Sequence, residues 1–211
     1  MNNRHKNISA SASVKTGQGK LVGMYVNSTT SGTIKFNDGS SGTTSAGVKA
    51  TGVFTSSDVF TDGETATIGN QTYTFVDTLD NSIAFQVLIG ASAAATLDNL
   101  KSAINASAGS GTTYSSGTTA HTQVTATTNT DTAQTVEAIV VGTASNSIAT
   151  TTTCVDVAWG AETLEGGVDV NTLINNTITP AVGYHPLGET NFIRGCYATI
   201  ANTLDVTIYY E

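Results

Sequence analysis

The chain opens on a period of two. Ile8, Ala10, Ala12 and Val14 alternate with Ser9, Ser11 and Ser13, the spacing that sends every second side chain to one face of a strand. Gly17 and Gly19 mark a turn, and residues 20–27 (KLVGMYVN) are apolar on both faces, which predicts a central strand covered on two sides. Residues 32–36 then lead into Asn37-Asp38-Gly39, a hairpin-type turn. The same grammar resumes far downstream. Residues 173–179 predict a strand ended by Pro180, and residues 182–187 a short one that Pro186 confines to a sheet edge. Residues 195–200 and 203–210 predict a last hairpin, with Leu204, Val206, Ile208 and Tyr210 alternating with polar residues. Seven short strands with turns between them predict a β-sandwich or jelly-roll-like domain of about 90 residues, split between the two ends of the chain.

Between these ends the pattern changes. Residues 64–68, a Gly69-Asn70 turn and residues 71–76 form a hairpin signature, followed by a strand near 83–89. Leu97, Leu100 and Ile104 then fall at i, i+3 and i+7 in an Ala-rich segment, with Ser92 or Thr96 placed to cap its start and the Gly109/Gly111 loop to end it. This predicts one amphipathic helix over 93–106. Further strands are expected at 124–128, 135–141 and 150–157, with Trp159 as a core or hinge anchor. Gly52 on one side and Gly166-Gly167 on the other give the chain freedom to leave the first domain and re-enter it at neighbouring points. The expected fold class is mainly β: a discontinuous β-sandwich or jelly-roll-like host domain at residues 1–48 and 169–211, and an inserted small α+β domain, an antiparallel sheet plus one helix, at residues 49–168.

Composition agrees with two β-rich cores. Thr and Ser number 58 of 211 residues, while charged residues are 11% and Pro only two, which suits pleated surfaces facing water and not long helices. The net charge of −8 is unevenly spread: the host segments carry +1 and the insert −9. An acidic insert without a basic stripe excludes nucleic acid as a partner. No apolar run of membrane length occurs and no signal-peptide core follows Met1, so no membrane association is expected. Cys154 and Cys196 fall in different predicted domains without a CxxC partner, which predicts buried free thiols.

Candidate chemistry is sparse. Gly17-Gln18-Gly19-Lys20 lacks the glycine spacing and the Ser/Thr of a phosphate loop, having Val14 and Leu21 at those places, and Val22 occupies the third glycine position of a dinucleotide fingerprint. No G-x-S-x-G elbow places a nucleophile. His5, His121 and His185 are too scattered for a metal site within one chain. Asp156, Glu162, Glu165 and Asp169, like Asp58, Asp62 and Glu64, match no Ca²⁺ loop and are read as solvated rims. Tyr184, Tyr197, Tyr209 and Tyr210 are read as strand-packing residues with a hydroxyl at the rim, stacking against carbohydrate being the alternative. No cofactor is expected, and an enzyme built on paired carboxylates is the least supported class.

Joined end to end, the host segments read VKTGQGKLVGMYVNSTTSGTIKFNDGSSGT and LINNTITPAVGYHPLGETNFIRGCYATIANTLDVTIYY. They carry G-x-L-x-G-x-x-V-x-S-x-x-S-G-T-I-K from Gly19, N-T-x-T-P-A-x-G from Asn176, G-x-Y-x-T-I from Gly195 and a closing D-V-T at Asp205. This order resembles a family of small tailed-bacteriophage virion proteins, and the middle (GETATIGNQTYTFVD, ATLDNLKSAIN, SNSIATT, WGAETLEGG) is similar to a module of phage structural proteins. A free-standing family member would join Thr43 almost directly to Leu173, so the insert occupies a loop the family leaves short. The resemblance implies a non-enzymatic virion building block assembled in the bacterial host cytoplasm. Its favoured form is a capsid decoration (cement) protein on the capsid surface, a homo-oligomer with a trimer favoured, whose partner is the phage major capsid protein. The expected shell-docking residues are Arg4, Lys6, Lys15 and Lys20, with the acidic insert projecting outward. The alternative is a tail-tip, fibre or adhesin component that contacts the host-cell surface and its polysaccharide.

Overall fold

The structure, a computed structural model, describes residues 4–211. It divides into two compact units, one made of the chain up to Gly47 with residues 169–211, the other of residues 48–168. The protein is mainly β, with one α-helix among the described residues.

The first unit is built from β1 (Arg4–Ile8), β2 (Ala12–Thr16), β3 (Gly19–Asp38), β12 (Val168–Leu173), β13 (Gly183–Phe192) and β14 (Gly195–Tyr210). The spine is the antiparallel pair β3/β14, in register from Cys196 opposite Asp38 to Tyr210 opposite Leu21. Both strands bend at one level. Ser31 (φ 53°) and Asn202 (φ 61°) each take a single left-handed residue there, and the register shifts at Thr203. A bulge of this kind turns the ladder without ending it. The outer strands follow the same bend. β1 pairs with residues 206–210 of β14 and β2 with residues 195–198, and in between Ser11 Oγ both donates to the Ile200 carbonyl (3.2 Å) and accepts from its N–H (2.9 Å). On the other side β13 pairs with residues 19–26 of β3, while β12 and the Ile178 bridge pair with its far end, at Asn37–Asp38 and Ile34.

A sheet of six strands, four wide at any level, thus folds over on itself. Layer A holds β1, the end of β14, the start of β3, and β13; layer B holds β2, the start of β14, the end of β3, and β12. A single core joins them, with Met24, Val26, Ile208 and Phe192 from layer A and Val14, Ile34, Phe36 and Ala198 from layer B all buried. Each large apolar side chain so buried contributes about 1.5–3 kcal/mol.

This geometry alters several expectations. Residues 8–14 are not one strand, because the chain crosses between layers at 9–11. Residues 195–210 are one strand and not a hairpin, because both of its halves have β3 as partner. Asn37 and Asp38 end β3 and do not form a turn. Pro186 lies in β13, which pairs only with β3 among the described strands, and the register shifts between Pro186 and Thr190. That is an edge strand, as Pro requires.

The second unit has two sheets where one was expected. The first runs β11 (Val157–Trp159), β4 (Ser45–Ser56), β9 (Ala133–Val141), β8 (Val124–Thr130), all antiparallel. The second runs β10 (Thr150–Thr152), β5 (Thr65–Ile68), β6 (Gln71–Val76), β7 (Gln86–Leu88), and β6/β7 is parallel. The α-helix, α1 (Ala93–Asn105), starts where Ser92 Oγ accepts from the Ala95 N–H and ends on a left-handed Ala106. It buries Thr96, Leu97, Leu100, Ala103 and Ile104 into the core formed by Phe54, Phe60, Tyr73, Phe75 and Tyr114. Trp159 packs on Phe54 with ring centroids 4.8 Å apart. Gly52 is no hinge: it lies inside β4, and a Cβ there would sit 2.5 Å from Leu164. A tight strand-to-side-chain approach requires glycine at that point.

Candidate functional site

Residues that alternate along a strand share a face, and cross-strand partners share it too. Met24 and Val26 point into the core, so Gly23 and Tyr25 face outward on layer A. Tyr209 lies opposite Gly23, Thr207 opposite Tyr25, His5 opposite Tyr209 and Asn7 opposite Thr207. From β13, Tyr184 lies opposite Tyr25 and Pro186 opposite Gly23. The outward face therefore carries two rows: His5, Tyr209, Gly23 and Pro186, then Asn7, Thr207, Tyr25 and Tyr184.

The rings are in mutual contact. The Tyr184–Tyr209 and His5–Tyr209 centroids are each 6.3 Å apart and tilted, the range in which aromatic pairs attract. The Tyr184 ring extends over Gly23, where a Cβ would lie 2.5 Å from its hydroxyl oxygen and 2.9 Å from Cζ. Tyr25 is 43% and Tyr184 56% exposed. A polar fringe completes the face: Asn7 Nδ2 donates to Asp205 Oδ1 (2.9 Å) and to Thr207 Oγ1 (3.2 Å), and Asn27 Nδ2 donates to Thr207 Oγ1 (3.3 Å).

Of the four tyrosines expected at strand positions, Tyr184 and Tyr209 come together here. Tyr210 packs against the core, and Tyr197 sits in layer B opposite Asn37 and Ser13. Tyr25 was concealed because residues 20–27 read as apolar on both faces; the structure leaves one of those faces open.

The expected docking cations divide between two places. Lys15 and Lys20 flank the Gly17–Gly19 turn, where Lys15 Nζ donates to the Gln18 carbonyl (2.8 Å) and Lys20 Nζ pairs with Glu189 Oε2 (2.6 Å). The Glu189 carboxylate raises the Lys20 pKa and is itself held below its usual range by the ammonium. Arg4 and Lys6 lie on β1, both exposed, with Lys6 Nζ donating to the Ser13 carbonyl (2.6 Å).

Several other titratable groups do structural work. Asp38, buried at the end of β3, accepts from the N–H groups of Arg194 (2.7 Å), Ile193 (3.0 Å) and Gly195 (3.3 Å), with Arg194 Nη1 at 3.6 Å. His121 is buried in the second unit. Its Nδ1 accepts from the N–H groups of Gln123 (3.0 Å) and Val124 (3.2 Å), which leaves Nε2–H to donate to the Ile68 carbonyl (3.0 Å). Burial lowers its pKa, opposed by the Ile68 bond. His5 and His185 lie in the first unit. Glu64 accepts from the N–H groups of Thr61 and Val155, and Asp62 from that of Asp77. Cys154 and Cys196 are free thiols, their pKa pushed by burial up to about 11 and about 12. Among the described residues no group of three or more His, Cys, Asp or Glu side chains could hold a metal ion, and no helix is long and apolar enough to cross a membrane.

An open cleft of about 560 Å³ lies in the second unit, lined by Gly69, Asn70, Gln123, Val140 and Ile148 among others. Its walls are uncharged and hold no nucleophile paired with a base. No protein-family model matches the chain, and no curated protein or solved structure is significantly similar to it.

Proposed function

We propose that the protein is a non-enzymatic structural component of a tailed-bacteriophage virion. In this proposal it is a decoration protein that docks on the head shell through its split β unit and presents the acidic inserted unit away from the shell. The observation that carries the proposal is where the motif residues sit. A Cβ at Gly19 would lie 2.4 Å from the Glu211 carbonyl oxygen, and one at Gly32 2.4 Å from that of Thr203, while Gly195 holds φ 149°. These glycines serve close backbone approaches of the folded-over sheet, so the motif residues that carry the resemblance to virion proteins meet steric requirements and are not a bias of composition.

The charge distribution agrees with this arrangement, since a near-neutral unit of +1 approaches an acidic surface with less repulsion than a unit of −9 does. Arg4, Lys6 and Lys15 are its available docking cations, while Lys20 is already paired with Glu189. Co-sedimentation with purified capsids of the phage that encodes the protein tests the proposal. Saturable binding is expected, weakened at least tenfold by the triple change Arg4→Glu, Lys6→Glu, Lys15→Glu. Absence of any shell binding by the unaltered protein overturns it.

A further inference from the structure

We infer that the open face of layer A is a binding platform for a neutral polysaccharide. The inference goes beyond the capsid proposal and does not depend on where in a virion the protein sits.

The platform is made by strands, so its rings are held by the ladder and not by mobile loops, which lowers the ordering cost of binding. Three strand spacings of about 4.8 Å make it about 14 Å across, and its two rows lie about 7 Å apart along the strands. A patch of roughly 100 Å² falls far short of the ~800 Å² per partner that a stable protein interface uses. It does accommodate a short run of sugar rings. A pyranose offers a face of C–H groups and a rim of hydroxyls. The exposed rings of Tyr25 and Tyr184 and the half-buried ring of Tyr209 match the first, and the amide and hydroxyl fringe of Asn7, Thr207 and Asn27 matches the second.

Charge selects the class of polymer. Stacking platforms for single-stranded nucleic acid pair their rings with cations that track the phosphates. The two rows themselves carry no Lys or Arg: Lys6 alternates to the other side of β1 and donates to Ser13, and Lys20, beyond Gly23 along β3, is paired with Glu189. The carboxylate at its margin, Asp205, is hydrogen-bonded by Asn7 and repels polyanions. An uncharged aromatic face bordered by a carboxylate suits a neutral glycan. Gly23 is part of the device, because a side chain there would displace the Tyr184 ring.

Affinity electrophoresis of the full chain tests this, through gels holding dextran, levan or galactomannan, with dextran sulfate and poly(dT) as charged probes. Retardation is expected in at least one neutral gel and in neither charged one. Tyr184→Ala and, as a second variant that removes no contact with Gly23, Tyr25→Ser should each weaken it at least tenfold. Tyr197→Ala, in the other layer, should leave it unchanged. Circular dichroism of each variant distinguishes lost binding from lost folding. Three results overturn the inference: no retardation in any neutral gel, retardation by poly(dT) alone, or a dimer in sedimentation that Tyr184→Ala dissociates.

Discussion

Replacing Asp38 by Ala removes the group that ties the β13–β14 connection to the end of β3. The carboxylate accepts two short backbone bonds, from Arg194 at 2.7 Å and Ile193 at 3.0 Å, and a longer one from Gly195 at 3.3 Å. Each short bond to a charged acceptor contributes about 1.5 kcal/mol, about 3 kcal/mol together. The longer bond adds little, and the ion pair is discounted because the Arg194 side chain is 42% exposed. Asp38→Asn keeps the shape but points an NH₂ at a backbone donor, and should cost about 2 kcal/mol. Native-state hydrogen exchange read by mass spectrometry, on peptides covering residues 33–38 and 195–200, reports the change directly. A loss of 3 kcal/mol corresponds to exchange about two decades faster. If Asp38→Ala leaves these peptides within about 0.5 kcal/mol of the unaltered protein, the carboxylate is not the clasp described.

Three further outcomes follow from the structure. His121 binds a proton less tightly in the folded unit than in the unfolded chain, so the unfolded state holds more protons below about pH 6.5 and stability falls as pH drops through that value, by at most about 1.4 kcal/mol per pH unit. Melts followed by the single Trp, Trp159, between pH 7.5 and pH 5 should show this fall relative to His121→Gln, and equal slopes in the two proteins would count against it. Cys196, fully buried with its pKa pushed up to about 12, should resist iodoacetamide at pH 8 until the protein is denatured, and labelling of the native protein at a free-thiol rate contradicts that burial. Excising residues 48–168 and joining Gly47 to Asp169 by a short Gly-Ser linker keeps Asn171, whose Nδ2 donates to Ser41 and Thr43, and should leave a cooperatively folded β unit; a molten product refutes the division of the chain.

Local signals were legible where one residue's chemistry settles the structure. Leu97, Leu100 and Ile104 with Ser92 ahead of them specify α1 to within a residue of its end, because a 3.6-residue period and an N-cap are both local facts. The Pro186 edge was legible for the same reason. What escaped notice depends on partners distant in sequence. Nothing in Ala201-Asn202-Thr203 distinguishes a bend from a hairpin turn; the outcome is decided by β3, which pairs with β14 on both sides of it. The parallel β6/β7 pair is bridged by residues 77–85 without a helix, shorter than the crossover such pairs usually require. Tyr25 was hidden in an apolar run whose second face stays open, and His5, weighed in the sequence only as a metal ligand and set aside, has the Tyr209 ring as its neighbour. A platform assembled from four strands has no linear motif, so the aromatic face became visible only through register.

The central claim, a decoration protein on a phage head, is tested most directly by counting copies of this chain in purified virions by quantitative mass spectrometry against the major capsid protein. The account predicts a fixed ratio matching a complete set of symmetry-related positions on an icosahedral shell, unchanged in tailless heads. A few copies per particle that vanish with the tail, or none at all, would contradict it.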